Sequence, residues 1–123
     1  MILIMMRERY FRLTLGDNEK QYGMVLRVRD GNLEELTGFS EAEKVGETSR
    51  GSFYELDINR DGYGKPLGKP DRVGILVPRF GEVEIYKQPE RDKASISNIS
   101  MSRAAEIIES LQYIRDLEAY IAD

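Results

Sequence analysis

The sequence predicts a single α+β domain: one antiparallel β-sheet of about six or seven strands across residues 1–100, with one long C-terminal amphipathic helix, residues 102–122, packed on it. Three observations predict it. Apolar and polar residues alternate with period two in several short runs, the pattern of strands with one face buried. Turn-forming residues, Asp30-Gly31 above all, separate those runs at hairpin spacing. Only the C-terminal segment changes to a helical period, with apolar residues at Ala104, Ile107, Ile108, Leu111, Ile114, Leu117 and Ile121. A chain of 123 residues has room for one core, and no repeat or low-complexity tract divides it.

Between Tyr10 and Leu15, Phe11, Leu13 and Leu15 share one face and Arg12 and Thr14 the other, and Gly16-Asp17-Asn18 breaks the run. Gly23 to Arg29 alternates again, with Met24, Leu26 and Val28 expected inward and Val25, Arg27 and Arg29 outward. Asp30-Gly31 is a strong two-residue turn, so Leu33 to Thr37 is the expected returning strand. Ser40-Glu41-Ala42-Glu43 has capping-box spacing and Gly46 comes after it as a stop, which predicts a short helix or a single helical turn. Phe53 to Ile58 is the next strand, with Tyr54, Leu56 and Ile58 on one face.

Asn59 to Arg72 holds Gly62, Gly64, Gly68, Pro66 and Pro70 with no periodicity, and reads as an exposed loop. Val73 to Val77 is almost continuously apolar, as in a strand covered on both faces, and Pro78 to Gly81 turns it into Glu82 to Lys87. Gln88 to Lys93 is a polar loop around Pro89, and Ala94 to Ile99 is a last short strand. Ser102 is the expected N-cap of the helix, whose polar side carries Arg103, Glu106, Glu109, Arg115, Asp116 and Glu118.

Composition narrows the chemistry. Hydrophobic residues at 41% and charged residues at 33% describe an ordered globule. The chain has neither His nor Cys, which removes disulfides, thiolate zinc sites, thiol nucleophiles, and imidazole bases or metal ligands. No cofactor is expected. The balance of 18 basic and 22 acidic residues, net charge -4, is the wrong sign for generic nucleic-acid affinity. Met1 to Met6 is apolar and precedes Arg7, the reverse of a signal peptide, and no apolar run reaches about 18 residues. A soluble, cytoplasmic protein with no membrane contact is therefore expected, and the sequon Asn98-Ile99-Ser100 is read as accidental.

Several candidate sites compete. Asp57, Asn59, Asp61 and Gly62 match the first half of a calcium loop, but the twelfth position is Gly68 where a bidentate Glu belongs, so no metal is assigned. The glycines from Gly62 to Gly68 lack both P-loop spacing and a helix directly behind them. The favoured reading is a contact loop with Tyr63 at its tip and Lys65, Lys69 and Arg72 around it, joined by Arg79 if the ligand is anionic. Arg27 and Arg29, with Arg7, Arg9, Arg12, Tyr10 and Tyr22, make a basic, partly aromatic band of the type that tracks a phosphate backbone. Catalysis could rest only on carboxylate pairs such as Glu82 with Glu84, Asp57 with Asp61, or Glu34 with Glu55. A serine nucleophile among Ser95, Ser97, Ser100 and Ser102 would need a Lys as its base.

The helix carries an apolar arc wider than one buried face needs. Ile107, Ile114 and Ile121 repeat every seven residues, as do Ala104 and Leu111, while Ile108, Tyr113, Leu117 and Tyr120 widen the arc, which predicts a homo-oligomer interface. The expectation is a small non-enzymatic binding protein, self-associating partly through this helix and engaging a partner protein or a small anionic ligand through its loops. Small inhibitors and adaptors encoded by viruses or mobile elements have this composition. A nucleic-acid-binding sheet and a carboxylate-dependent enzyme are the alternatives.

Overall fold

Alternating sequences pair when each strand buries one face, and most of this chain does so. The computed structural model describes residues 8–16, 23–37, 40–60 and 66–110. Within them run β1 (Arg9–Leu15), β2 (Gly23–Arg29), β3 (Asn32–Glu35), β4 (Ser40–Thr48), β5 (Gly51–Arg60), β6 (Pro66–Pro78), β7 (Glu84–Lys87) and β8 (Ala94–Ile99). They form two antiparallel four-stranded sheets, ordered β3-β2-β1-β8 and β4-β5-β6-β7. The edges also meet, β3 beside β4 and β7 beside β8, so each strand lies beside its sequence neighbours in an up-and-down circuit.

The expected single sheet is thus corrected to two, and the six or seven strands to eight. The reason lies in the apolar faces. Phe11, Leu13, Leu15, Met24 and Leu26 of the first sheet and Tyr54, Leu56, Ile58, Val73, Ile75 and Val77 of the second belong to one buried cluster. Each sheet covers the other's apolar face, and each large side chain removed from water contributes about 1.5–3 kcal/mol. Val73 to Val77 is buried throughout, as its unbroken apolar run predicts.

The β2–β3 turn is the tight hairpin its sequence announces. Asp30 and Gly31 both have positive φ, 54° and 78°, the geometry that matches the right-handed twist of the flanking strands. Its Gly31 carbonyl accepts the Tyr54 hydroxyl at 2.7 Å, tying a core residue of one sheet to a turn of the other.

The helix α1 is described over residues 101–110; its expected continuation to Ala122 lies outside the described residues. Its cap is Ser100, not the expected Ser102: the Ser100 hydroxyl accepts the Arg103 N–H at 3.0 Å and its carbonyl accepts the Ala104 N–H at 3.0 Å. Ala104 and Ile107 are buried with Val25, and Tyr10, Leu36, Ile99 and Ile108 pack around them. Val25 does face away from the sandwich core, as its alternation predicts, but the helix covers it. The first sheet is therefore covered on both faces at β2. Among the described residues no helix is long and apolar enough to cross a membrane.

Two further expectations about local structure fail. Ser40 to Gly46 is no helix but part of β4, paired with β5 from Ser40 opposite Ile58 to Thr48 opposite Gly51. A capping box needs an apolar stripe behind it, and this segment offers only Ala42 and Val45. The loop expected at 59–72 is also mostly strand: β5 runs to Arg60 and β6 starts at Pro66. Pro66 and Pro70 are tolerated because β7 pairs with β6 only from Gly74 onward, which leaves the first half of β6 an edge.

Candidate functional site

The register of β6 on β7, with Gly74 opposite Lys87, brings the first half of β6 beside the connection from β7 to β8. Between them lies a cleft of about 310 Å³ lined by the cations Lys69, Arg72, Lys87 and Arg91, the carboxylates Asp71 and Glu90, and Pro70 and Gln88.

Its wall is held by local hydrogen bonds. The Asp71 carboxylate accepts three backbone N–H groups, from Arg72 at 2.8 Å, Glu90 at 2.9 Å and Arg91 at 2.9 Å. Partial burial pushes its pKa up, but these amides and the nearby Arg91 charge outweigh it and leave the carboxyl below its ordinary value. Gln88 closes the other end: its side-chain N–H donates to the Ala94 carbonyl at 3.0 Å while its oxygen accepts the Ala94 N–H at 2.8 Å. The connection is pinned to β6 by Asp71 and to β8 by Gln88.

The four cations are not equivalent. Strand pairing sets Glu43 opposite Glu55 and Asp57 opposite Arg72, placing three carboxylates around one guanidinium on the outer face of the second sheet. Arg72 meets Asp57 at 2.9 Å, Glu43 at 3.0 Å and Glu55 at 3.3 Å. Desolvation lowers its pKa, yet Glu55 and Asp57 outweigh that and raise it above the ordinary value. Lys87 is shared with Glu55 at 3.6 Å. Lys69 and Arg91 form no ion pair with any of the described residues. A ligand carboxylate or phosphate in the cleft would find Lys69 and Arg91 outside any ion pair with the described residues, Arg91 sharing its field with the Asp71 carboxylate, Lys87 half-used and Arg72 already neutralised.

The expected contact residues separate in space. Lys69 and Arg72 meet in the cleft, while Tyr63 and Lys65 lie outside the described residues. Arg79 comes just after the far end of β6, and ten residues of strand place it roughly 30 Å from Lys69. Arg27 and Arg29 lie on the outer face of the first sheet. Arg27 bonds Glu34 at 2.5 Å, and Arg29 lies 3.8 Å from Glu8 and 3.9 Å from Glu34. The hydrogen bond to Glu34 raises the Arg27 pKa and lowers that of Glu34. Tyr10 donates to Glu8 at 2.6 Å. Arg27 and Arg29 are thus neutralised by their own neighbours, Arg9 and Arg12 form no ion pair with a described residue, and Arg7 and Tyr22 lie outside the described residues.

The carboxylate pairs fare no better as acid and base. Glu34 pairs with Arg27 outside one sheet and Glu55 with Arg72 and Lys87 outside the other, so the sandwich separates them. Glu82 and Glu84 are exposed, and Glu84 lies 3.7 Å from Arg50. Asp57 and Asn59 stand on β5 rather than in a cation-binding loop, Asp61 and Gly62 lie outside the described residues, and among those described no group of acidic side chains is arranged to hold a metal ion. Of the expected oligomer interface, Ile107 is buried inside the chain against Val25. Leu111, Tyr113, Ile114, Leu117, Tyr120 and Ile121 lie outside the described residues.

Lys87 and Arg91 are the cleft cations that sequence reasoning missed, with Asp71, Gln88 and Glu90 beside them. The signal was available: the hairpin expected from Val73–Val77 and Glu82–Lys87 already sets the residues after Lys87 against those before Val73. Comparison with protein-family models, with curated proteins and with solved structures finds no match for this chain, so its function is read from its own residues.

Proposed function

We propose that this chain is a non-enzymatic binding protein that takes a small anionic ligand in the cleft of Lys69, Lys87 and Arg91, and that it self-associates partly through the C-terminal helix. The observation that carries the ligand reading is the pair of cations Lys69 and Arg91, neither in an ion pair with a described residue, facing a cleft whose wall Asp71 and Gln88 hold in place. A fixed wall matters because ordering flexible groups on binding subtracts from affinity. Carboxylates and phosphates suit the site, since their oxygens accept charge-assisted hydrogen bonds from ammonium and guanidinium groups. The non-enzymatic part is supported by the lack of His and Cys in the sequence and by the pairing of Glu34, Glu55 and Asp57 with cations.

Self-association draws on the sequence stripe of Leu111, Tyr113, Ile114, Leu117, Tyr120 and Ile121, with Ile107 withdrawn from the interface because it packs on Val25. The test of the ligand reading is calorimetric titration with inorganic phosphate, pyrophosphate, AMP and ATP. Saturable binding with Kd below about 1 mM, equivalent to roughly 4 kcal/mol, and weakening as salt rises, is the expected result. Absence of binding by all four probes would refute it.

A further inference from the structure

Of the arginines on β1 and β2, Arg9, Arg27 and Arg29 all have partners. Arg9 donates to the Pro78 carbonyl at 2.6 Å and to the Gly81 carbonyl at 2.7 Å, Arg27 meets Glu34, and Arg29 lies near Glu8 and Glu34. Arg12 is the exception. It is half-buried and forms no ion pair with a described residue, and its Nε is closed off from water with no hydrogen-bond partner. Arg27 and Arg72 also hold an unsatisfied Nε, but each of those guanidiniums meets a carboxylate. A shielded donor with no acceptor weakens the fold that contains it, and an anion placed against it restores what was lost.

The register shows what surrounds Arg12. It lies opposite Val25 on β2 and Ser97 on β8, and Thr14 lies opposite Ser95. Val25 is buried with Ala104 and Ile107 of the helix, so the helix covers the β2 side of Arg12, while on the β8 side Ser95 and Ser97 are exposed. Leu13, Ala94 and Ile96 pack into the sandwich core, which sets Arg12, Thr14, Ser95 and Ser97 together on the outer face. Lys93 continues the ladder, its carbonyl accepting the Gly16 N–H at 2.8 Å. The same alternation puts Lys93 on the outer face and Asp92 on the other, and Lys93 forms no ion pair with a described residue. Two residues of strand, roughly 7 Å, separate the Thr14–Ser95 pair from the Arg12–Ser97 pair on one side and from Lys93 on the other.

We propose that Arg12, Thr14, Lys93, Ser95 and Ser97 bind a phosphate group, free or as a monoester, seated over the Thr14–Ser95 pair. The two cations supply charge from either side, and each hydroxyl can donate a hydrogen bond to an anionic oxygen. Donors spread around one point suit the oxygens of a tetrahedral anion better than the two of a carboxylate. The acids of this face stand elsewhere and are engaged, Glu34 with Arg27 on β3 and β2, and Glu8 with Arg29 and the Tyr10 hydroxyl. This seat lies on the first sheet and the Lys69 cleft on the second, and neither depends on the other.

Two-dimensional NMR of the isotope-labelled full chain tests it, with separate titrations of inorganic phosphate, glycerol phosphate and acetate at constant ionic strength. Saturable shifts of the Arg12, Thr14, Ser95 and Ser97 amides are expected with phosphate, retained in Lys69→Glu/Arg91→Glu, and at least about tenfold weaker with acetate. Tighter binding of glycerol phosphate would assign the seat to an ester, and tighter binding of inorganic phosphate to the free ion. Arg12→Met should abolish the shifts yet leave the ligand-free Tm as high or higher, because it removes the orphaned donor. Ser97→Asp, at an exposed position, gives Arg12 a carboxylate of its own and should abolish them in a chain whose spectrum stays that of a folded protein. No shift at these amides with either phosphate, an equal response to acetate, or shifts that survive both Arg12→Met and Ser97→Asp would overturn the proposal. Shifts lost in Lys69→Glu/Arg91→Glu would overturn it too, and assign the response to the cleft.

Discussion

The Asp71 carboxylate accepts the Arg91 backbone N–H at 2.9 Å, across twenty residues of chain. With the Glu90 N–H at 2.9 Å on its other oxygen, this contact fixes the segment that carries Arg91 against the strand that carries Lys69. It holds two walls of the cleft together.

Replacing Asp71 with Asn removes the charge and two of the carboxylate's acceptor sites, and should cost about 1 kcal/mol of stability. Hydrogen exchange at the Glu90 and Arg91 amides should quicken. The native carboxyl titrates below its ordinary value, so its stabilisation is complete above the unfolded-state value of about 3.9 and is lost as pH falls through the lower folded-state value. Protection of these two amides should hold level from neutral pH down to about pH 4 and drop below that. In Asp71→Asn the acid-dependent drop should vanish.

Gly51 and Gly46 lie at opposite ends of the steric scale. A Cβ at Gly51 would meet the Val77 carbonyl oxygen and lie 2.6 Å from the Pro78 Cα, at a φ of 145°, whereas at Gly46 it would meet nothing within 4 Å. Gly51→Ala should lose about 2–4 kcal/mol in chemical denaturation. Gly46→Ala should stay within about 0.5 kcal/mol of wild type, and equal effects would mean that the β4–β5 turn does not sit under Val77.

Ile107 packs on Val25 within the chain, so its truncation should be felt in folding. Ile107→Ala should lower stability by about 2–3 kcal/mol and loosen amides near Ala104 and Ile108, with no direct effect on association. A dimer constant that falls while stability holds would place Ile107 at an interface instead.

Strand positions were legible wherever one face is apolar. The Gly23–Arg29 strand and the Asp30-Gly31 turn arise from local chemistry alone, and β1, the second half of β6 and β8 coincide with alternating or continuously apolar runs. The β4 strand was not legible, because Glu41, Glu43 and Glu47 face water and its place is set by main-chain pairing to β5. The first half of β6 was hidden by Gly68 and two prolines, which mark loops in isolation but are admissible on a sheet edge. Division into two sheets depends on which apolar faces meet, a tertiary matter that alternation leaves open.

The site was half legible for the same reason. Lys69 and Arg72 stood out as cations near glycines and prolines, yet the strand pairs that surround Arg72 with Glu43, Glu55 and Asp57 were invisible before the register was known. Arg27 looked available until Glu34 proved to be its cross-strand neighbour. Charge on a sheet surface has meaning only after pairing is assigned.

The most direct test is a two-dimensional NMR titration of the isotope-labelled chain with pyrophosphate. The account predicts saturable shifts at the Lys69, Asp71, Arg72, Glu90 and Arg91 amides, abolished in the double variant Lys69→Glu/Arg91→Glu while its spectrum stays that of a folded protein. Shifts centred on Arg27 and Arg29, or unchanged binding by the double variant, would contradict it.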